Sequence, residues 1–177
     1  MRALYRLLTR WWTAFALLAS LVLLGAAHAF ERFAGLAPCN LCLKQREVYW
    51  GAVAVALTAT LWHLISRGSR GTPRIAAFLL AVIFTTGAIT AVFHMGGEYD
   101  WWVLPAACAG GGGVDLESLT ALALGTGPVV RPVMCDAVTW SFLGLSMAGW
   151  NALISAALAG ISLLAAKRPK DARAPRN

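Results

Sequence analysis

The chain has 177 residues, of which 59% are hydrophobic and only 13% charged, with 15 Lys and Arg against 8 Asp and Glu for a net charge of +7. A water-soluble domain of this size carries about 25% charged residues, so the composition excludes an ordinary soluble fold and describes a membrane protein. The positive charge does not point to nucleic acid, because it is distributed as a topology signal rather than as a binding patch.

Residues 1–10 carry Arg2, Arg6 and Arg10 and lead into an apolar block at about 11–30. This start also has the form of a secretory signal, with Ala27-His28-Ala29 where a cleavage site would lie. The apolar run is long for a signal core, and a retained first span is expected. A short polar stretch, 31–46, holds Cys39, Cys42, Lys44 and Arg46 before a second apolar block at 47–65. Arg67, Arg70 and Arg74 fill the next loop, and a third block follows at 75–95. The long segment 96–144 contains Cys108 and Cys135, and a fourth block at 145–166 ends in the basic tail 167–177. Each block is close to the roughly 20 residues that cross a bilayer core as a helix. The expected fold is all-α: one membrane domain over 1–177, built as a four-transmembrane-helix bundle.

Finer features follow from residue type. The tryptophans fall near span ends or in the adjoining outer loop, where amphipathic rings anchor at the interface. Ala148, Ala152, Ala156 and Gly160 recur every four residues and are expected to form one helix-contact face, with Gly51 and Gly87 serving spans two and three. In the long loop, Gly110 to Gly113 demand a turn or freedom. Asp115, Glu117 and Gly125 then bracket a short amphipathic helix with Leu116, Leu119 and Leu122 on one side. Pro128 and Pro132 keep the approach to Cys135 extended.

Eleven of the fifteen basic residues lie in the N-terminal, second-loop and C-terminal segments, with Asp171 as their one acid. Short basic loops stay cytoplasmic. Both termini are therefore expected inside and all four cysteines outside, in an oxidising compartment where disulfides persist.

The first cysteine pair is Cys39-Asn-Leu-Cys42, just after Pro38, a residue suited to a helix start. Cys39 at that start would have its thiolate favoured by the helix dipole. Cys42 lies one turn on, and Arg46 follows four residues later on the same face; Glu47 is the expected partner competing for Arg46. His94 at the end of span three is a candidate hydrogen-bond donor or proton relay. No role is assigned to His28 or His63, whose opposite depths argue against a shared haem. A Cys-x-x-Cys is also half of a zinc site, but the spacing of Cys108 and Cys135 does not supply a second close pair.

These elements together resemble the disulfide bond formation protein B (DsbB) family of bacterial inner-membrane proteins. The likeness rests on Cys39-Asn-Leu-Cys42 with Arg46; on His94 followed by Gly97-Glu98-Tyr99-Asp100-Trp101-Trp102 and Cys108; and on Cys135-Asp136 with Trp140, Phe142-Leu143-Gly144-Leu145-Ser146 and Ala148-Gly149-Trp150-Asn151. It covers nearly the whole chain. The resemblance implies two redox disulfides, Cys39–Cys42 and Cys108–Cys135, and a relay from a soluble periplasmic thioredoxin-like protein of the DsbA type to ubiquinone or menaquinone. It implies attack on Cys108, transfer from Cys135 to Cys39, and quinone reduction at Cys42 beside Arg46 and His94. That system is the known kinetic source of periplasmic oxidation. Two alternatives stand beside it. A vitamin K epoxide reductase-like protein would place its active pair late in the bundle, the reverse of the order here. A non-catalytic membrane protein would use the same cysteines as structural disulfides.

Overall fold

A computed structural model of the chain describes residues 8–65, 73–105, 108 and 134–167. Most of these lie in four long helices, α1 (Trp12–Ala34), α2 (Asn40–Ile65), α3 (Arg74–Glu98) and α4 (Met147–Ala166). A small antiparallel hairpin, β1 (Ser141–Phe142) and β2 (Leu145–Ser146), precedes α4. All four helices are long and apolar enough to span a bilayer. At 1.5 Å per residue they measure about 30–39 Å, against about 30 Å of hydrocarbon. The short amphipathic helix expected after Asp115 lies outside the described residues.

The bundle is apolar both inside and on its outer surface, with a few buried polar side chains among the core residues. Leu18, Val22, Leu57, Ile75, Phe78, Ile89 and Leu153 are all exposed, a pattern that suits a hydrocarbon solvent. The interior is built from small residues around Leu80 and Phe84, with Ala16, Ala52, Ala56 and Ala77 completely buried. α3 and α4 pack most extensively, and α2 packs on both α1 and α3. Gly87 allows this approach: a Cβ there would stand 3.1 Å from Val48 Cγ1 and 3.4 Å from Ser155 Oγ. Gly51 has open space around it and plays no such part.

The small-residue face of α4 differs from the four-residue repeat expected. Ala148 and Ala152 are buried, but Ala156 and Gly160 are exposed, and the buried stripe continues through Ser155, Ala159 and Ser162. An α-helix turns 3.6 residues at a time, so a strict four-residue repeat drifts off the contact face. Trp12 also departs from the interfacial role: it is buried, and its indole N–H donates to Ser162 Oγ at 2.9 Å, tying α1 to α4.

The connections at one end of the bundle bring the cysteines together. α1 stops at Gly35, in the left-handed conformation with φ 66°, and Leu36 N–H returns to Phe30 O. This is a glycine helix stop that needs no Cβ. The chain reverses through Pro38 into α2. At the other entry, the hairpin turn places Leu143 and Gly144 at φ 52° and 79°, the pair of left-handed residues that a tight hairpin demands. Tyr99 anchors that hairpin, since its hydroxyl donates to Gly144 O and accepts from Ser146 N–H, both at 3.0 Å. Ser146 then caps α4 by accepting from Gly149 N–H.

Candidate active site

Cys39 is the residue before the first turn of α2. Its carbonyl accepts from Leu43 N–H, and its sulfur accepts from Cys42 N–H at 3.2 Å, so the thiol itself serves as the helix cap. The Cys39 and Cys42 sulfurs are 2.7 Å apart and unbonded, against about 2.05 Å in a disulfide. Cys39, Cys108 and Cys135 form one buried cluster, flanked by Cys42, Leu41 and Leu104. Cys135 N–H donates to Cys108 O at 3.0 Å. The buried Cys135 packs with both Cys39 and Cys108 in this cluster. The four cysteines thus pack together at one place, although the two pairs are far apart in sequence.

The environment of Cys39 reverses one sequence expectation. Sharing a proton with the Cys42 sulfur, followed by burial, pushes the Cys39 thiol well above its ordinary range. The helix-start N–H acts the other way but is outweighed. Burial, reinforced by Cys135, also pushes the Cys108 thiol up. In the dithiol state these two cysteines hold their protons.

His94, on α3, is buried with Nε2 at 3.5 Å from Cys39 Sγ. Its Nδ1 lies 3.1 Å from Gln45 Nε2. Gln45 Oε1 accepts from Asn151 Nδ2 at 2.6 Å, and Asn151 Oδ1 accepts from the Tyr49 hydroxyl, which also meets Ser155 Oγ at 2.8 Å. This chain assigns the tautomer: Gln45 donates to Nδ1, leaving the proton on Nε2, directed at Cys39. Glu98, one turn after His94 and nearly buried, has Oε1 at 3.9 Å from Nε2 and accepts from the Ser146 hydroxyl.

Arg46 is placed differently from the reading that paired it with Glu47. It forms its ion pair with Glu31 of α1 and donates to Ala27 O at 3.2 Å, while Glu47 pairs with Lys44 at 3.0 Å. The cause is helical phase: Glu47 is turned outward beside Lys44, and Arg46 faces α1. Arg46 still borders the same space as Cys42. A cavity of about 410 Å³ opens there, with Leu23, Leu24, Phe30, Trp140 and Phe142 as its apolar wall and Cys42, Gln45, Arg46, His94, Glu98 and Asn151 at its polar end. Small-molecule sites have this size and this balance of apolar wall and few polar groups. Separately, the donor atoms of Cys39, Cys42 and His94 all lie within 4.8 Å of one another, a set able to hold a metal ion.

The structure therefore gathers every residue singled out from the sequence around one end of the bundle. His28 and His63 lie outside it: His28 bonds back to Leu24 O, and His63 is buried against the edge of Trp11. Gln45, Tyr49 and Glu31 were not singled out, and Glu98 and Asn151 entered only within the family likeness, with no role given to them. Their signal was available, since polar side chains within apolar spans are costly and are retained where they have partners.

The family model described as disulfide bond formation protein DsbB matches residues 9–165. The chain is 33% identical over 156 residues to disulfide bond formation protein B of Aromatoleum aromaticum, covering 82% of this chain and 86% of that protein. It is 34% identical over 179 residues to the protein of that name from Marinobacter nauticus, covering 92% and 96%. Identity to the Nitrosospira multiformis protein of the same name is 32% over 150 residues, covering 80% and 81%. No solved structure matches the chain.

Proposed function

Because the chain belongs to the DsbB family of disulfide bond formation proteins and is a multi-pass membrane protein, we propose that it is a quinone-dependent thiol oxidase that reoxidises a periplasmic DsbA-like dithiol protein. In this reading it sits in the bacterial inner membrane with both termini cytoplasmic and the four cysteines periplasmic, as the distribution of basic residues favours.

The observation that carries the proposal is the packing together of the four cysteines beside the apolar cavity. A partner thiolate attacks Cys108 Sγ, breaking the Cys108–Cys135 bond and releasing Cys135 as thiolate. Cys135 attacks Cys39 Sγ, already its neighbour, and Cys42 leaves as thiolate facing the cavity. The partner's second thiol then displaces Cys108, and the partner departs oxidised. Cys108 attacks Cys135 to restore the loop disulfide and return electrons to Cys39, and oxidation of Cys39 with Cys42 closes the cycle. Ubiquinone or menaquinone, as membrane-dissolved substrate, takes up the two electrons and two protons and leaves as quinol. The partner dithiol supplies both, so the reaction balances without another reductant.

The chain's own groups assist each transfer. His94 presents Nε2–H to Cys39 and supports negative charge on that sulfur when it leaves or attacks. Arg46 contributes positive potential at the cavity, partly neutralised by Glu31. The cavity's apolar wall suits a lipid-soluble ring and excludes water.

The test mixes purified protein with a reduced thioredoxin-like oxidase and ubiquinone and follows quinone absorbance. Turnover that vanishes in Cys42→Ser is expected, as is a mixed disulfide trapped between Cys108 and the partner in Cys135→Ser. Absence of turnover, with both cysteine pairs inert to the partner, would overturn the proposal in favour of structural disulfides.

A further inference from the structure

We propose that the dithiol form of the Cys39–Cys42 pair, together with His94, is a redox-gated binding site for a thiophilic divalent cation of the zinc class. The site exists only while the pair is reduced. The inhibitory consequence drawn below rests on the thiol-oxidase reading, but the binding does not.

The geometry is close to what such an ion requires. With bonds of about 2.3 Å to sulfur and about 2.05 Å to imidazole nitrogen, tetrahedral ligands stand about 3.6 Å (S to N) and about 3.8 Å (S to S) apart. Cys39 Sγ and His94 Nε2 are already 3.5 Å apart. Cys39 and Cys42 sulfurs, at 2.7 Å, need to separate by about 1 Å, a side-chain rotation at the half-buried Cys42. All three donors lie within 4.8 Å of one another. Cys42 and His94 line the cavity, which supplies an entry route and leaves the fourth position open to water. The spacing of Cys108 and Cys135 supplies no second close pair; the fold instead offers a histidine from a different helix.

The surrounding hydrogen bonds also accommodate a metal. An ion on Nε2 requires the proton to move to Nδ1, which must then donate to an acceptor. Gln45 meets this demand by turning its amide over, so that Oε1 faces Nδ1. Asn151 turns with it, accepting from Gln45 Nε2 and donating to the Tyr49 oxygen. The same partners remain in contact throughout. No redox change occurs: two thiols lose their protons, two sulfur–metal bonds form, and the ion's charge is balanced by two thiolates. In the disulfide neither sulfur is a thiolate and the site is gone. A cation bound there would hold the pair reduced and stop electron transfer, so it acts when electrons back up in the chain.

The experiment uses the full-length Cys108→Ser/Cys135→Ser protein in detergent, leaving one reducible pair. Cd2+ is titrated as probe, reading thiolate–cadmium ultraviolet absorption and proton release. A single Cd2+ per reduced chain is expected, with none bound after oxidation by diamide. His94→Asn should weaken binding by at least about tenfold, and Gln45→Glu, which offers a fixed acceptor to Nδ1, should tighten it by about tenfold. Equal affinity in the reduced and oxidised proteins, or in His94→Asn and its parent, would overturn the site. Should the double variant not fold, the reduced natural chain serves: Cd2+ must shield the half-buried Cys42 from maleimide while leaving the alkylation rates of Cys108 and Cys135 unchanged, and equal slowing at all three, or none at Cys42, refutes it. Metal-free quinone turnover of the natural chain, with all four cysteines, is measured in parallel. Cadmium binding without turnover refutes the oxidase reading alone, and turnover without cadmium binding refutes the site alone.

Discussion

Gly96→Ala tests how the loop carrying Cys108 is held against the bundle. Gly96 lies in the last turns of α3, and a Cβ there would stand 2.0 Å from Trp102 Cζ2, with two more ring atoms at 2.4 Å. No bond rotation of an alanine relieves this, so the indole must leave. It stacks on Phe93 with centroids 6.0 Å apart, and its N–H donates to Phe93 O at 3.0 Å. Trp102 begins the segment that continues through Leu104, itself packed on the cysteine cluster. Overpacking of this kind costs about 1–3 kcal/mol. The strain is released when the segment undocks, so the undocked population should rise roughly 5- to 150-fold, at 1.36 kcal/mol per decade. The assay is pulse alkylation of the reduced protein with site mapping by mass spectrometry. Cys108 should react faster by that factor, Cys42 should change little, and the four helices should keep their circular dichroism. An alkylation rate at Cys108 within about twofold of the parent would refute the docking argument.

Other outcomes follow from the same geometry. Ser162→Ala leaves the Trp12 indole N–H without its acceptor, and thermal unfolding in detergent should report a loss of about 0.6–1.7 kcal/mol, the range for hydrogen bonds between membrane helices. Because Cys39 and Cys108 are held above the ordinary thiol value of about 8.5, both should alkylate slowly through that pH and accelerate only beyond it. The folded dithiol form then retains protons that the unfolded chain releases, so its stability should fall as pH rises past the ordinary thiol range; a pH series of alkylation and denaturant melts checks both. Arg46→Met should raise the apparent KM for ubiquinone about tenfold or more through loss of the cavity's cation, whereas Glu31→Gln, which frees the guanidinium, should not raise it. Equal increases in both variants would assign Arg46 a purely structural role.

The sequence by itself determined the fold class, since four apolar blocks of bilayer length admit only helices whose backbone groups are satisfied internally. It also placed the cysteines, Arg46 and His94 together, because all flank span ends that a four-helix topology brings to one end, but it gave no role to Gln45, Glu98, Asn151 or Glu31 beside them. Local periodicity was less informative where neighbours decide burial: Ala156 and Gly160 look like contact residues and face outward, while Trp12 looks interfacial and is buried. Only the tertiary structure decided who partners whom. Glu31 rather than Glu47 takes Arg46, and Gln45 with Asn151 sets the tautomer of His94. The same packing makes Cys39 a buried, proton-holding thiol despite its place at a helix start. Each of these outcomes depends on side chains from different helices meeting in a low-dielectric interior, where a few ångströms outweigh the preferences of any single segment.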